Sequence, residues 1–494
     1  MGPLHRACLL SPPAFFLFTA FICLSLLSGC AVGPDYLPPQ AQVPDSWHAR
    51  PDPAMVRDCQ AIHRWWTLFD DPLLETLIRE SAAGNLDLKT AYARVREARA
   101  TLGIARGDLL PEIGGGGSLN RQRTSDNTIN PGSIATYYKT ALDASWEIDL
   151  FGRIRRSVEA AAADYQASRE DVNDILVTLQ AEVAVTYLNI RTLQAQLRAS
   201  ERNISSQKQS LELTRARFKH GLATDLDVAQ AERILYSSEA EMPLLRTSLA
   251  GAINAMAVLL GGPPGYLSDE FAREEPIPLP PEPVMIGIPA DLVRRRPDIR
   301  RAERQLAAQT ARIGVATADL YPSFSLSGTF GFESISTADL FDAGSRTWSY
   351  GPSLRWLLFS GNRIRNRIRA EDARTEQALL NYEKTLLNAL REVEDGVVAF
   401  SQQRTRVAAL ERSVAASHRN LRLASNLYKE GLVDFQNVLD AQRSIILLDN
   451  ELAAAKGESA IILVRLYKAL GGGWDQKGEG ANAFVKPAPG DENF

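Results

Sequence analysis

The sequence is poor in the side chains that build metal sites and disulfides, with 4 cysteines, 5 histidines and 5 methionines among 494 residues. So few cysteines exclude a disulfide-stapled scaffold, and so few histidines leave little material for a metal site. A formal net charge of −4 gives no support to a nucleic-acid binder, which is usually basic. No apolar run beyond the first 30 residues is long enough for a transmembrane helix, which needs about 20 residues. HExxH, G-x-S-x-G and phosphate-loop motifs are also missing, so no enzymatic activity is predicted.

The N-terminus has the features of a cleaved export signal. Arg6 gives a short positive region, an apolar stretch covers 9–27, and LSGC follows at 27–30. A hydrophobic stretch that ends in small residues is typical of a signal peptide. Cleavage just before a cysteine resembles the bacterial lipobox, and this resemblance implies a covalent lipid on Cys30. By resemblance to lipoprotein sorting signals, Ala31 at the next position favours the outer membrane. A signal anchor or an ordinary signal peptide is the alternative.

The chain contains an internal repeat of about 210 residues. Three pairs of segments share this spacing: 98–111 with 309–322, 145–151 with 353–359, and 218–233 with 428–443. The repeat divides the chain into six parts: a signal peptide (1–29), an N-terminal anchor segment (30–71), a first repeat (72–262), a proline-rich connector (263–290), a second repeat (291–470) and a C-terminal tail (471–494).

Two long stretches lack residues that break helices. Residues 153–220 contain no proline or glycine, and residues 362–430 contain no proline and one glycine. At 1.5 Å per residue, each predicts a helix of roughly 100 Å. Apolar residues recur every seven positions along one seam of each stretch, which is typical of a coiled coil. A second seam of the first helix becomes polar toward its end, at Ser200, Gln207 and Thr214.

Four segments alternate between apolar and polar residues: 113–119, 142–150, 323–333 and 348–358. In the third, Phe324 and Leu326 share one face, and Ser323 and Ser325 share the other. This pattern over about ten residues is typical of a membrane β-barrel strand, and tryptophan and tyrosine fit its aromatic girdle. A half-buried hairpin in a soluble sandwich is the alternative. Four strands cannot close a barrel, so the pattern predicts three copies with twelve strands and twelve helical columns.

Five motifs resemble the outer-membrane factor family of tripartite efflux pumps, the TolC/OprM type, in its NodT-like lipoprotein branch. They are CAVGPDY (30–36), WWTLFDDPLLETLI (65–78), the stretch 292–328, GLVDFQNVLDAQRS (431–444) and RLYKALGGGW (465–474). The resemblance implies a mainly α fold: a homotrimer whose twelve-stranded outer-membrane β-barrel continues into a twelve-helix coiled-coil α-barrel. Residues 30–71, the connector and the tail would form an equatorial belt.

The same resemblance implies a passive duct that exports small toxic molecules. Its partners would be a periplasmic adaptor, an inner-membrane transporter of the RND type and outer-membrane lipid. It implies no cofactor apart from the lipid on Cys30. A type I protein-secretion duct and a heavy-metal cation efflux channel are alternatives, and a non-transporting coiled-coil lipoprotein is a third.

Family motifs also suggest where the duct is gated and docked. The adaptor-docking tips would be Gly221, Leu222, Thr224, Gly431, Leu432 and Val433. The periplasmic gate would consist of Asp440, Asn437, Gln436, Asp227, Tyr428 and Arg443. Asp440 matches an inward aspartate ring, Asp227 and Tyr428 match a latch between helices, and Arg443 is a partner for a carboxylate. Asn437 and Gln436 depart from the residues of the best-known members, which predicts weaker cation trapping and a weaker apolar seal. Plain interhelical turns and solvated salt bridges are the alternatives.

Overall fold

The computed structural model describes residues 31–40, 43–49, 55–56, 62–127, 131–279, 284–285, 289, 292 and 295–474. The predicted signal peptide, Cys30, part of the connector and most of the tail lie outside these residues. The chain divides into two compact units. The first comprises 1–40, 94–168 and 301–382, and the second comprises 41–93, 169–300 and 383–494.

From residue 86 and from residue 297 onward, the helices and the long strands follow the same order in the two halves of the chain. The helices are α1 (Pro72–Gly84), α2 (Leu86–Gly107), α3 (Arg153–Lys219), α4 (Asp225–Leu259), α5 (Pro297–Ala318), α6 (Arg363–Lys429) and α7 (Phe435–Ala469), with short 3-10 helices at Ile62–Phe69 and Ala343–Ser345. The strands are β1 (Met55–Val56), β2 (Glu112–Arg123), β3 (Ile134–Ile148), β4 (Val284–Met285), β5 (Ser323–Ser334) and β6 (Arg346–Arg355). Matching helices are equally long: 22 residues for α2 and α5, 67 for α3 and α6, and 35 for α4 and α7.

The two 67-residue helices each end at a glycine in the left-handed conformation. The φ angle is 73° at Gly221 and 75° at Gly431, a region in which a side chain would be strained. The Leu222 amide then donates to the Arg217 carbonyl at 2.8 Å, and the same bond closes the end of α6. This closure pairs carbonyls that the last helical turn leaves open. The glycine therefore sets where each long helix stops.

The second seam of α3 remains buried where it becomes polar. Ser200, Gln207 and Thr214 expose 9%, 2% and 0% of their surface. Gln207 Nε2 donates to Ser238 Oγ at 3.0 Å, and Thr214 Oγ1 donates to the carbonyl one turn earlier at 2.8 Å. The Gln207–Ser238 bond therefore makes a polar contact between α3 and α4 along this seam, while Gln207 Oε1 has no hydrogen-bond partner among the described residues.

The four alternating segments form one antiparallel sheet in the order β2-β3-β5-β6. Its register places apolar residues side by side: Leu142 pairs with Phe330, and Phe330 pairs with Trp348. On the other face Asp143 pairs with Thr329, whose hydroxyl donates to the carboxylate at 2.6 Å. The predicted alternation of the strands is therefore confirmed.

The bounds of the strands differ from the prediction, most in β2, β3 and β6. β2 continues to Arg123 rather than ending at residue 119. β3 begins at Ile134 rather than at residue 142, because residues 134–141 also pair with β2. β6 ends at Arg355 rather than at residue 358. Trp356 lies beyond its end and donates from Nε1 to the Leu320 carbonyl at 3.1 Å. Trp356 therefore belongs to the turn that leads into α6.

One described helix, α4, is long and apolar enough to cross a membrane, so the expectation of no such stretch beyond the first 30 residues is wrong. Only 17% of its apolar window is buried within the chain. Length and composition alone do not place a helix in a membrane.

Buried aromatic rings and a helix cap organise the second unit. Trp65 is 1% exposed and stacks on Tyr467, with ring centroids 6.1 Å apart. One oxygen of Asp71 accepts from the first amides of α1, and the other accepts from the Tyr187 hydroxyl at 2.5 Å. Burial, together with this hydrogen bond, raises the pKa of Tyr187 above its usual value. The Tyr187 phenol therefore stays a donor, and the start of α1 is fixed to α3.

Gly457 marks a close approach of α7 to α3. A Cβ at this position would lie 1.9 Å from Oγ1 and 2.9 Å from Cγ2 of Thr192. We expect Gly457→Ala to lower the thermal unfolding midpoint in detergent, because overpacking a closed interior costs about 1–3 kcal/mol. Thr192→Ala removes both clashing atoms, so the double variant should recover part of the loss. Equal midpoints for Gly457→Ala and the unchanged protein would contradict the close approach.

Candidate gate at the helical tip

Two tight turns form the tip of the second unit. Residues 220–224 join α3 to α4, and residues 430–434 join α6 to α7. Leu222 and Leu432 occupy equivalent positions and are 65% and 70% exposed. Thr224 caps α4: its hydroxyl accepts from the Asp227 amide, and the Asp227 carboxylate accepts from the Thr224 amide at 2.8 Å. Each turn thus presents a leucine beside its left-handed glycine, and the first turn is also fixed by the Thr224 cap, whereas Asp434 makes no capping hydrogen bond at the start of α7.

An apolar cluster, here called the tip cluster, lies behind the two turns. Val433 of the second turn packs against it. Its buried members are Leu211, Val228, Ala231, Ile234, Leu235, Ala424, Tyr428, Phe435, Val438, Leu439 and Ala441. Because α3, α4, α6 and α7 all contribute, the burial of apolar area holds the first helix pair against the second.

Polar links cross the same boundary between helix pairs. Arg217 of α3 donates to the Lys429 carbonyl at 2.8 Å, and its guanidinium lies 4.6 Å from the ring centroid of Tyr428 in α6. Gln442 of α7 donates to Ser210 Oγ of α3 at 2.7 Å. Sequence reasoning named Tyr428 but missed Arg217, Ser210 and Gln442. The one signal in the sequence for these links is the polar character of the α3 seam. By itself it indicates a weaker contact between helices rather than hydrogen bonds between the two helix pairs.

Asp440 is the centre of a small polar group on the exposed side of α7. Gln436 Nε2 donates to its Oδ1 at 3.0 Å, and Arg443 donates to the same oxygen at 3.3 Å. Asn437 donates instead to the Asp434 carbonyl at the start of the helix. The Asp440 side chain is 61% exposed, so its ion pair with Arg443 is worth little within one chain.

The structure does not join Asp227 to Tyr428. Asp227 is engaged in the cap of α4, whereas the Tyr428 ring lies between Arg217 and Phe435, 5.1 Å from the Phe435 ring. The buried Tyr428 hydroxyl has no hydrogen-bond partner among the described residues. Tyr428 therefore contributes through its ring, and the latch between it and Asp227 stays a prediction.

No group of three or more His, Cys, Asp or Glu side chains is placed to hold a metal ion in the part of the chain that the structure describes. The contacts of the tip hold the helices together.

Long paired helices and an antiparallel sheet with an apolar face define an outer-membrane channel fold. The solved outer-membrane channel OprN matches the chain with a TM-score of 0.85 and 35% identity, covering 90% of this chain and 100% of that one. The model of the outer membrane efflux protein family matches residues 77–262 and 288–472, and the chain belongs to this family.

Two curated relatives extend over nearly the whole chain. Nodulation protein T of Rhizobium leguminosarum bv. trifolii is 33% identical over 461 residues, covering 91% of this chain and 96% of that protein. The toluene efflux pump outer membrane protein TtgF of Pseudomonas putida is 33% identical over 461 residues, covering 91% and 95%. The resemblance seen in the motifs is confirmed. Family members are outer-membrane channel proteins rather than enzymes, so the chain is an outer-membrane efflux protein.

The role of the Tyr428 ring can be separated from that of its hydroxyl. We expect Tyr428→Phe to leave the hydrogen exchange of the last turns of α6 nearly unchanged, since the hydroxyl has no partner among the described residues. Tyr428→Ala should lower the local opening free energy by about 3 kcal/mol, because it empties an aromatic site in the tip cluster. A larger effect for phenylalanine than for alanine would show that the hydroxyl, not the ring, holds the tip.

Proposed function

We propose that three copies of this chain form a twelve-stranded β-barrel in the outer membrane, continued by a twelve-helix duct for the export of small toxic molecules. The observation that carries the proposal is the sheet β2-β3-β5-β6, which has two outer edges and an apolar face within a family of outer-membrane channels. Each unpaired backbone group in hydrocarbon costs several kcal/mol, so the sheet needs strands from other copies. Exposed Trp348 and Tyr350, stacked at 5.8 Å, fit the interfacial girdle of such a barrel.

The N-terminal segment supports a lipid anchor on Cys30, which itself lies outside the described residues. In the first unit the Val32 amide donates to the Phe151 carbonyl at 3.0 Å, just after β3 ends. Arg156 donates to the Val32 carbonyl and pairs with Asp35 at 2.7 Å. The chain leaving Cys30 is therefore held at the end of the sheet, where the barrel would meet the periplasm and a lipid could enter the membrane.

We further propose that the tip is the gate. The second helix pair, α6 and α7, moves away from the first when a periplasmic adaptor binds the turns at Leu222 and Leu432. Three copies of Asp440 would face one another and favour cations in the closed state. Their charge is moderated by Arg443 at 3.3 Å. A proton-driven inner-membrane transporter would supply the substrate, because the duct itself has no energy source.

The efflux role is tested in a deletion strain. We expect loss of the gene to increase susceptibility to small apolar toxicants such as toluene, because a relative at 33% identity is a toluene efflux pump outer membrane protein. Restoring the gene should restore resistance. Unchanged toxicant resistance with loss of a secreted protein would favour a type I secretion duct, and hypersensitivity to metal ions alone would favour metal efflux.

The gate is tested by conductance in planar bilayers. Arg217→Ala combined with Gln442→Ala removes the polar links between the helix pairs, so we expect a higher single-channel conductance than in the unchanged protein. Arg215→Ala is the matched control, because Arg215 pairs with Glu232 within the first helix pair. An unchanged conductance in the double variant, or an equal rise in the control, would reduce these links to bracing contacts.

A further inference from the structure

Two large apolar side chains remain exposed at the ends of the two long helices, beside the tip cluster. Phe218 in α3 is 45% exposed, and Leu427 in α6 is 40% exposed. Leu423, one turn before Leu427, is exposed as well. Exposed apolar side chains that share one region of a surface are more informative than single ones. The fold of one chain therefore leaves an apolar surface at the tip that it does not cover.

The internal repeat shows which residues correspond to these side chains. α3 and α6 both have 67 residues, α4 and α7 both have 35, and the pairs align without a gap at an offset of 210. Backbone bonds support this offset at the tip. The glycine after each long helix donates its amide to the carbonyl three residues earlier, which is Phe218 in one repeat and Tyr428 in the other. Phe218 is therefore the counterpart of Tyr428, and Leu427 is the counterpart of Arg217.

Within the chain, the two counterparts contact each other, because the Arg217 guanidinium lies 4.6 Å from the ring centroid of Tyr428. In the proposed trimer, on which this inference rests, first and second repeats alternate around the duct. The second repeat of one copy then meets the first repeat of the next copy as the first repeat meets the second within a chain. We infer that Leu427 packs against Phe218 of the adjacent copy, so that an apolar contact between copies takes the place of the cation–π contact within a chain.

A second observed contact transfers to a chemically matched pair. Gln442 of α7 donates to Ser210 Oγ of α3 at 2.7 Å. At the offset of 210, the counterparts of these residues are Glu232 of α4 and Asn420 of α6. The transfer places the exposed Asn420 amide opposite the Glu232 carboxylate of the adjacent copy, to which it can donate a hydrogen bond. Both transferred contacts therefore bring compatible side chains together.

The face of α6 that carries Leu427 is exposed over more than one turn, whereas the same face of α3 is packed. Leu423 corresponds to Leu213, which packs against the tip cluster. Farther from the tip the two junctions differ, because Thr247 of α4 stands where Gly457 lets α7 approach α3 closely. The equivalence therefore applies to the last turns of the helices, where the contacts within the chain are observed.

Crosslinking tests the apolar contact in membranes that contain the full-length protein, in a Cys59→Ser background. Phe218→Cys combined with Leu427→Cys is treated with a short thiol-specific crosslinker, and we expect a covalent trimer ladder on a denaturing gel. Neither cysteine alone should give a ladder. Phe218→Cys with Arg422→Cys is the matched control and should remain monomeric, because Arg422 is exposed on α6 about 140° around the helix from Leu427.

Two further pairs of cysteines examine the transfer itself. Arg217→Cys with Tyr428→Cys should be linked inside one chain and stay at the monomer position, and mass spectrometry of the digested band identifies the linked peptides. Asn420→Cys with Glu232→Cys should give the same ladder as the apolar pair, because the transfer places these residues at the same junction between copies.

The outcomes separate this inference from the proposed function. Monomers in both test pairs, alongside a detergent-resistant trimer of the unchanged protein, would overturn the contact and leave the trimer intact. A link between Phe218→Cys and Leu427→Cys inside one chain, or an equal ladder with Arg422→Cys, would also overturn it. A ladder from the Asn420 and Glu232 pair alone would overturn the apolar contact and keep the junction. Monomers in every variant, with no detergent-resistant trimer of the unchanged protein, would overturn the trimer itself.

Discussion

Backbone hydrogen bonding at the edges of one small sheet is the constraint on which the rest of this protein depends. Four strands in the order β2-β3-β5-β6 pair every inner edge and leave two outer ones. In water such edges would be solvated, but in hydrocarbon each unpaired group costs several kcal/mol. Exposure to water is also unfavourable for the apolar face, which is formed by residues such as Leu142, Phe330 and Trp348. The proposed association with further copies would remove both costs, because it would pair the edges and place the apolar face against lipid.

Much of this architecture could be predicted from the sequence, because the signals are local. Alternation with period two specifies a strand and its two faces, whichever strands lie beside it. The polar face that carries Asp143 and the apolar face that carries Phe330 are therefore predictable from residue order. The long helices follow from the missing proline and from glycines such as Gly221 and Gly431 at their ends. The end of β6 at Arg355 could not be predicted, because the next residue, Trp356, continues the apolar–polar alternation. Its indole instead donates a hydrogen bond to a backbone carbonyl beyond the strand.

The tip links were beyond sequence reasoning for a different physical reason. Whether Arg217 meets Tyr428 depends on which sides of two helices, more than 200 residues apart, face each other. An arginine at the end of a long helix is ordinarily a solvated charge near the helix C-terminus. By contrast, the motif around Gly33 is recognisable in the sequence, but the physical requirement for glycine at this position is visible only in the structure. A Cβ on Gly33 would lie 2.5 Å from Gly314, and its φ of 91° suits glycine alone.

For the proposed gate, the tip combines contacts of a strength that suits a switch. Its polar links described above are two hydrogen bonds, each worth about 0.5–1.5 kcal/mol net, and one cation–π contact. Moving an equilibrium from 1:99 to 99:1 takes about 5.5 kcal/mol of differential binding, a value that a protein partner can supply. The apolar tip cluster is larger, and the contact between Tyr428 and Phe435 lies within the second helix pair, so it can persist when the pairs separate. A gate held by stronger buried ion pairs would oppose opening by its protein partner, whereas a gate without links between the helix pairs would not stay closed. The placement of Arg217 and Gln442 at the boundary, rather than within either helix pair, lies between these limits.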